Sequence, residues 1–338
     1  MKFFAVVAAA AAIVPPGVAS VLLPANLNFY SLQPDGRNLL VLGDTVAGGR
    51  CVYVRVRQTP LRVTARGSIS CLRTSVEPVY PVLRYDRKTF TVRVRIAHVD
   101  LRTHRVSEGP VVMTFQQYSD THLQMAYGPG TLWLFDTETP KGAEVLQVSA
   151  RSGRVENIVH VPRIFRPVLA ADDDGLWLAI ATNGGAGRGP APIYHVPLGA
   201  GAPILVHRGG RAALWIVATG HTVIADVLSG ETHGELWRFT GAAARARALA
   251  SANELNDWAT SFSTDGSSVW TVREIPVNGK YYNCNSLQVI RIDAATGKQL
   301  VAATVPTPGS QCYGAIYSTF GDNAFLFLYG RKLYRVAT

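Results

Sequence analysis

Short runs that begin with glycine and carry a tryptophan recur along this chain. Gly130-Thr131-Leu132-Trp133-Leu134, Gly175-Leu176-Trp177-Leu178 and Gly266-Ser267-Ser268-Val269-Trp270 are variants of one pattern. The tryptophans stand 44 and 93 residues apart, so one unit fits between the last two, and His221-Thr222-Val223-Ile224 fills it with Val223 in the tryptophan place. Self-similarity at this period is the mark of stacked or radial repeats, each too small to bury its own apolar face. A second landmark follows each strand: an alternating strand, a turn and another strand that ends near Val-Pro. Val145–Val148 with Arg151-Ser152-Gly153-Arg154 leads to Val161-Pro162. Leu287 to Ile292 with Asp293-Ala294-Ala295-Thr296-Gly297-Lys298 leads to Val305-Pro306, and Ile96 to Leu101 with Arg102-Thr103-His104-Arg105 reads alike.

Inner strands are then expected to start near Leu27, Ile69, Thr121, Pro167, Ala212, Trp258 and Gly314, seven units spaced 42 to 56 residues apart. The strongest helical stretch, Ala242 to Leu255, is the one competitor to an all-β reading. The pattern resembles the secreted seven-bladed β-propellers with YVTN-like or PQQ-like repeats, most sharply in Ile290-Arg291-Ile292-Asp293-Ala294-Ala295-Thr296-Gly297-Lys298. The resemblance implies four-stranded antiparallel blades over the whole mature chain, and it implies no particular activity. Quinone-binding repeats usually place a docking tryptophan shortly after their Gly-Lys. Here Gln299-Leu300 follow, which argues against a quinone enzyme, and no cofactor is expected. The last unit runs out of chain before its outer strand, and Val21 to Ala25 is expected to supply it, so that no edge is left open.

Met1 and Lys2 precede an apolar run from Phe3 to Val14, then Pro15-Pro16, then the small residues Gly17-Val18-Ala19. This reads as a signal peptide over 1–19, with residues 20–338 forming one β-propeller domain, secreted or extracytoplasmic. Twelve apolar residues cover only about 18 Å as a helix, short of a bilayer. No transmembrane segment is expected in the mature chain. Cys51, Cys71, Cys284 and Cys312 form two local pairs without metal-ligand spacing, so disulfides Cys51–Cys71 and Cys284–Cys312 are expected and no metal is. In each pair the first cysteine opens a third strand and the second lies where the next inner strand begins.

The tryptophans at 133, 177 and 270 read as core residues between blades. Asp172-Asp173-Asp174-Gly175 lacks the ligand spacing of a calcium loop and reads as a hairpin turn. No metalloprotease, nucleophile-elbow or phosphate-loop motif occurs. Between Arg50 and Arg105, 13 basic residues face Glu77, Asp86 and Asp100, an excess equal to the net +10 of the chain. Arg55 and Arg57 alternate with Val54 and Val56, and Arg93 and Arg95 with Val94 and Ile96, so each strand has one apolar and one cationic side. Such a surface suits an anionic polymer or surface, and without a recognition motif nucleic acid is not expected.

Two functions fit these residues. The first is an extracytoplasmic non-catalytic binding or scaffold module. The second is a propeller enzyme of the lyase or lactonase kind, using a metal or a His/Glu acid-base pair built from His233, Glu231 and Glu138. Binding is the preferred reading, for a protein or a small molecule. Its place is the end where second-to-third-strand loops and crossovers emerge. There Asp136 to Ala143, Thr182 to Pro192, Leu228 to Gly234 and Ile275 to Asn285 are expected as long loops. The loops bring Glu138, Asn183, Glu231, His233, Lys280, Tyr281 and Tyr282. The crossovers bring Tyr118, Asp120, Arg163, Arg166, Arg208, Arg211, Asn256, Gln311 and Tyr313.

Overall fold

The computed structural model describes residues 16–35, 37–46, 51–69, 79–86, 88–99, 106–116, 123–139, 142–162, 167–180, 192–199, 201–207, 213–228, 234–240, 245–251, 259–277, 280–310 and 316–338. Alternating apolar residues of these segments build 27 strands and, among the described residues, no helix. Strand β1 is Val18–Leu22. The first blade holds β2 (Leu27–Asp35), β3 (Asn38–Thr45), β4 (Cys51–Arg57) and β5 (Arg62–Ile69). The second holds β6 (Val79–Asp86), β7 (Thr91–Val99) and β8 (Val106–Gln116). The third holds β9 (Gln124–Gly128), β10 (Thr131–Thr139), β11 (Gly142–Ser149) and β12 (Val155–Val161). The fourth is β13 (Pro167–Ala171), β14 (Gly175–Ile180), β15 (Ile193–Pro197) and β16 (Ile204–His207). The fifth is β17 (Ala213–Thr219), β18 (Thr222–Leu228), β19 (Gly234–Thr240) and β20 (Arg245–Ser251). The sixth is β21 (Ala259–Thr264), β22 (Ser268–Val277), β23 (Lys280–Asp293) and β24 (Gln299–Ser310), and the seventh is β25 (Ile316–Gly321), β26 (Ala324–Tyr329) and β27 (Lys332–Ala337) with β1.

Every blade is an antiparallel up-and-down sheet, and the seven form a β-propeller. Six sheets show four strands. The second shows three among the described residues, because 70–78 lie outside them. Five of the expected inner-strand starts fall within three residues of β2, β9, β13, β17 and β21, that of the last unit falls two residues before β25, and the one near Ile69 falls on the last residue of β5, with the residues after it, 70–78, outside the described ones. Trp133, Trp177 and Trp270 sit on second strands and are almost wholly buried, each packed against the next blade, as their repeat position required. Val223, expected in the tryptophan place, is buried but faces back to the fourth blade, and its neighbour Ile224 is the residue that packs against the next blade as the tryptophans do.

The ring closes where the C-terminal strand meets the N-terminal one. Val18↔Val336 through Leu22↔Lys332 pair antiparallel, and the Leu23 amide donates to the Arg331 carbonyl at 2.9 Å. The closing strand therefore starts three residues earlier than the expected Val21–Ala25, because Leu23 turns inward to the core between the seventh and first blades. Two other expectations change. Within Ala242–Leu255 the described residues form strand β20, since Arg245, Arg247 and Ala248 pair edge-to-edge with Thr240, Arg238 and Trp237 of β19. Ladder bonds outweigh the helical preference of an alanine-rich run. Asp136–Ala143 and Ile275–Asn285 are extended hairpins instead of long loops: β10 reaches Thr139 opposite Gly142, and β22 reaches Val277 opposite Lys280.

Candidate functional site

Chain direction fixes which residues share an end of the ring. Second-to-third-strand connections and blade crossovers leave at one end, and the first-to-second and third-to-fourth turns leave at the other. Of the residues placed at the connection end from sequence, Tyr118, Asp120, Arg163, Arg166, Asn183, Arg208, Arg211, Glu231, His233, Asn256, Gln311 and Tyr313 lie outside the described residues. The strands on either side of them do emerge at this one end. Glu138, Lys280, Tyr281 and Tyr282 have their backbones on β10 and β23, and their side chains lie outside the description.

Cys51 opens β4 and faces Ile69, while Cys284 on β23 faces Ser310. In both cases the partner stands two residues before the second cysteine of the expected pair, so the two bridges would have the same register. Neither Cys51 nor Cys284 is a free thiol, and Cys71 and Cys312 lie outside the described residues.

One cavity of about 400 Å³ opens at the connection end of the first blade, lined by Asn26, Leu27, Thr45, Val52, Arg66, Gly67 and Ser68. Arg66 is exposed there and supplies its positive charge. Beyond the place of Arg66 in the basic region no motif marks this cavity, since its walls come from the ends of four strands. On the third blade, His160 Nδ1 lies 3.2 Å from Glu144 Oε1 across β11 and β12. This imidazole-carboxylate pair was not singled out by motif because it is made by strand register alone, Glu144↔His160. It stands on the outer half of its blade, away from the central channel.

The opposite end carries the triple aspartate. Asp172 Oδ1 accepts from the Asp174 and Gly175 amides at 2.9 and 3.0 Å, and Oδ2 accepts from Trp177 Nε1 at 2.8 Å. The hairpin reading holds, and the carboxylate also anchors the core tryptophan. Asp265 repeats the arrangement: Oδ1 accepts from the Ser267 and Ser268 amides and Oδ2 from Trp270 Nε1 at 2.8 Å. Burial pushes the Asp172 carboxyl above the usual carboxylate range despite those bonds. Asp265 is less enclosed. Burial opposes its ionisation, and the bonds from Trp270 and the Ser267 and Ser268 region win, holding it below that range. His195, 2% exposed, packs against Trp177 in a tilted arrangement with ring centroids 4.5 Å apart, and neither ring nitrogen has a hydrogen-bond partner. Burial lowers its pKa, with Asp172 opposing, so it stays neutral in the core. A second cavity, of about 500 Å³, lies at this end between the second and third blades, with His98, Glu108 and Arg154 among its lining.

Among the described residues no group of three or more His, Cys, Asp or Glu is placed to hold a metal ion, and no helix is long and apolar enough to cross a membrane.

No family model matches the chain, and no curated protein matches it. Among solved structures it is similar to the β-propeller domain of the trilobed protease from Pyrococcus furiosus, at 9% identity and TM-score 0.59, over 93% of this chain and 99% of that one. That domain is described as having an open velcro topology, whereas here β1 pairs with β27. The uncharacterized protein lmo1340 from Listeria monocytogenes EGD-e is similar at 11% identity and TM-score 0.54, over 93% and 92% of the two chains. The acylaminoacyl peptidase of Pyrococcus horikoshii is similar at 9% identity and TM-score 0.53, over 90% of this chain but 49% of that one. The chain thus spans about half the length of the peptidase it matches. At these identities the likeness is one of fold, and with the strand order above it makes this chain a seven-bladed β-propeller.

Proposed function

We propose that the protein is an extracytoplasmic, non-catalytic binding or scaffold module whose ligand site lies at the connection end of the ring. The observation that carries this is the Arg66-lined cavity of about 400 Å³ at that end, on a scaffold whose strands hold the surrounding connections in place. The cationic first and second blades supply the partner class, an anionic polymer or surface. A protein or small molecule on the connection end is the other partner the site admits. The propeller domains of peptidases are modules of larger proteins, which agrees with a scaffold role. The signal peptide over 1–19 and the disulfides Cys51–Cys71 and Cys284–Cys312 belong to the same reading.

The experiment is a thermal-shift screen of anionic and neutral small molecules against the full chain, with metal analysis of the purified protein. The reading expects an anionic ligand that raises the melting temperature of the wild type and loses its effect in Arg66→Gln. A stoichiometric divalent metal, together with turnover abolished by His233→Ala, would establish the enzyme instead.

A further inference from the structure

Neighbouring blades meet through apolar clusters drawn from both partners. This holds for the third and fourth, fourth and fifth, fifth and sixth, sixth and seventh, seventh and first, and second and third blades. The seam between the first and second blades differs. Val54 and Val56 turn to the seventh blade, so the other face of β4 looks to the second blade; Val94 and Ile96 turn to the third, so the other face of β7 looks back to the first. The only apolar cluster among the described residues of this seam is Tyr80, Val82 and Ala97, all of the second blade.

Outside that cluster, and beside Leu42, which is fully buried on the first-blade wall, both walls carry rows of arginines. Arg55 and Arg57 stand on one, both exposed, and Arg84, Arg93 and Arg95 on the other, with Arg84 directly opposite Arg93 in the ladder. Three carboxylates answer them at exposed sites: Asp35 to Arg55 at 3.5 Å, Glu108 to Arg84 at 2.7 Å and Asp86 to Arg93 at 3.7 Å. Arg95 donates to the Gly109 carbonyl at 2.9 Å. Arg57 faces Arg62 across the ladder, cation against cation. Like charges directly opposite one another on a sheet cost free energy that a bound anion recovers.

We infer that the seam between the first and second blades is a lateral binding cleft for a linear acidic polysaccharide. The inference rests on the reading of the basic region as anion-attracting and narrows it. Arginines two residues apart on a strand repeat about every 7 Å along a line, which suits charges strung on a chain. The two rows face each other across a seam, so a thin polymer reaches both and a flat membrane reaches only one. Guanidinium groups fork onto carboxylates. Tyr53, half-buried on the same face of β4 as Arg55 and Arg57, sets an aromatic ring beside them for a sugar face.

The test measures binding of an end-labelled alginate oligomer, a linear uronate polymer, to the full chain at low salt. The seam variant Arg55→Gln/Arg57→Gln/Arg93→Gln is set against Arg151→Gln/Arg247→Gln/Lys298→Gln, which removes the same charge from exposed positions elsewhere. Loss of several charge-assisted contacts predicts at least about tenfold weaker binding for the seam variant and less than about threefold for the control. Alginate should also slow amide exchange in β4 and β7 of the wild type and leave β11 and β23 unchanged, a readout that needs no variant. Equal weakening in both variants, protection spread over all blades, or equally tight binding of anionic phospholipid vesicles that the seam variant also loses, would overturn the cleft. If alginate binds and only Arg66→Gln abolishes it, the connection-end reading survives and the seam does not.

Discussion

Trp133 and Trp177 offer a matched pair of perturbations. Both are fully buried on second strands, and the residue five positions before each tryptophan, 128 or 172, sits at the end of the inner strand or just past it. Position 172 is aspartate, and its carboxylate accepts the Trp177 indole N–H. Position 128 is glycine, and Trp133 Nε1 has no hydrogen-bond partner. The glycine has a structural reason: a Cβ there would lie 3.1 Å from Ala171 Cβ and 3.3 Å from the Asp172 carbonyl oxygen. Replacing either tryptophan by phenylalanine costs similar packing, about 1–3 kcal/mol. Trp177→Phe also removes a hydrogen bond to a buried charged group, about 1.5–3 kcal/mol, whereas Trp133→Phe removes an unsatisfied donor and recovers about 1 kcal/mol. The difference between the two variants is therefore about 2.5–4 kcal/mol. With an unfolding entropy of about 2.1 cal/mol/K per residue, a ring of roughly 300 residues loses about 1.6 °C per kcal/mol, so Trp177→Phe should melt about 4–6 °C below Trp133→Phe. Calorimetry at neutral pH reads this directly. Melting temperatures within about 1 °C of each other would refute the role given to Asp172.

Acid titration separates the two tryptophan anchors. Asp265 is held below its unfolded pKa, so its contribution is complete above about pH 4 and is lost as pH falls through the folded value; Asp172 is raised, so its contribution is largest in acid and falls as pH rises through the folded value. The penalty of Asp265→Asn should thus vanish in acid while that of Asp172→Asn grows, and parallel pH profiles of the two variants would contradict this. Removing residues 20–22 from the chain left by cleavage after residue 19 deletes the three closing positions that remain, Ser20, Val21 and Leu22, and should lower the melting temperature markedly, with unchanged stability refuting the closed ring. Peptide mapping without reduction should return Cys51 joined to Cys71 and Cys284 joined to Cys312. Reduction should then cost about 3 kcal/mol per bridge, and any other pairing overturns the assignment. Gly175→Ala should destabilise strongly, because the new methyl group would collide with the Val196 carbonyl oxygen.

The repeat was legible because each blade repeats one packing problem, so Trp133, Trp177, Val223 and Trp270 could be placed in the core from their spacing alone. Alternation was legible for the same reason: Val54 and Val56, and Val94 and Ile96, are buried while the arginines between them are not. What alternation cannot say is which neighbour each face meets. That the cationic sides of β4 and β7 confront one another depends on the cyclic order of blades, a non-local fact. Hairpin extension was equally hidden. Lys280 to Cys284 looked like loop because Pro276 and Gly279 flank it, yet tertiary pairing with β22 carries it as strand with two register shifts. The closing strand missed by three residues because nothing local decides whether Leu23 pairs or turns inward. The cavity at Arg66 and the Glu144–His160 pair arise from strand ends and register, and neither leaves a motif.

The central claim is that binding belongs to the connection end of a rigid ring. It is tested most directly by alanine substitution at Arg163, Tyr281 and Tyr313, set against Asp173, Arg154 and Lys298 at the other end, with affinity measured for a small-molecule ligand identified in the thermal-shift screen. The account predicts that the first three weaken binding about tenfold or more while the melting temperature stays within about 2 °C, and that the second three leave affinity unchanged. Unchanged affinity in the first three, or losses shared equally between the two ends, would contradict it.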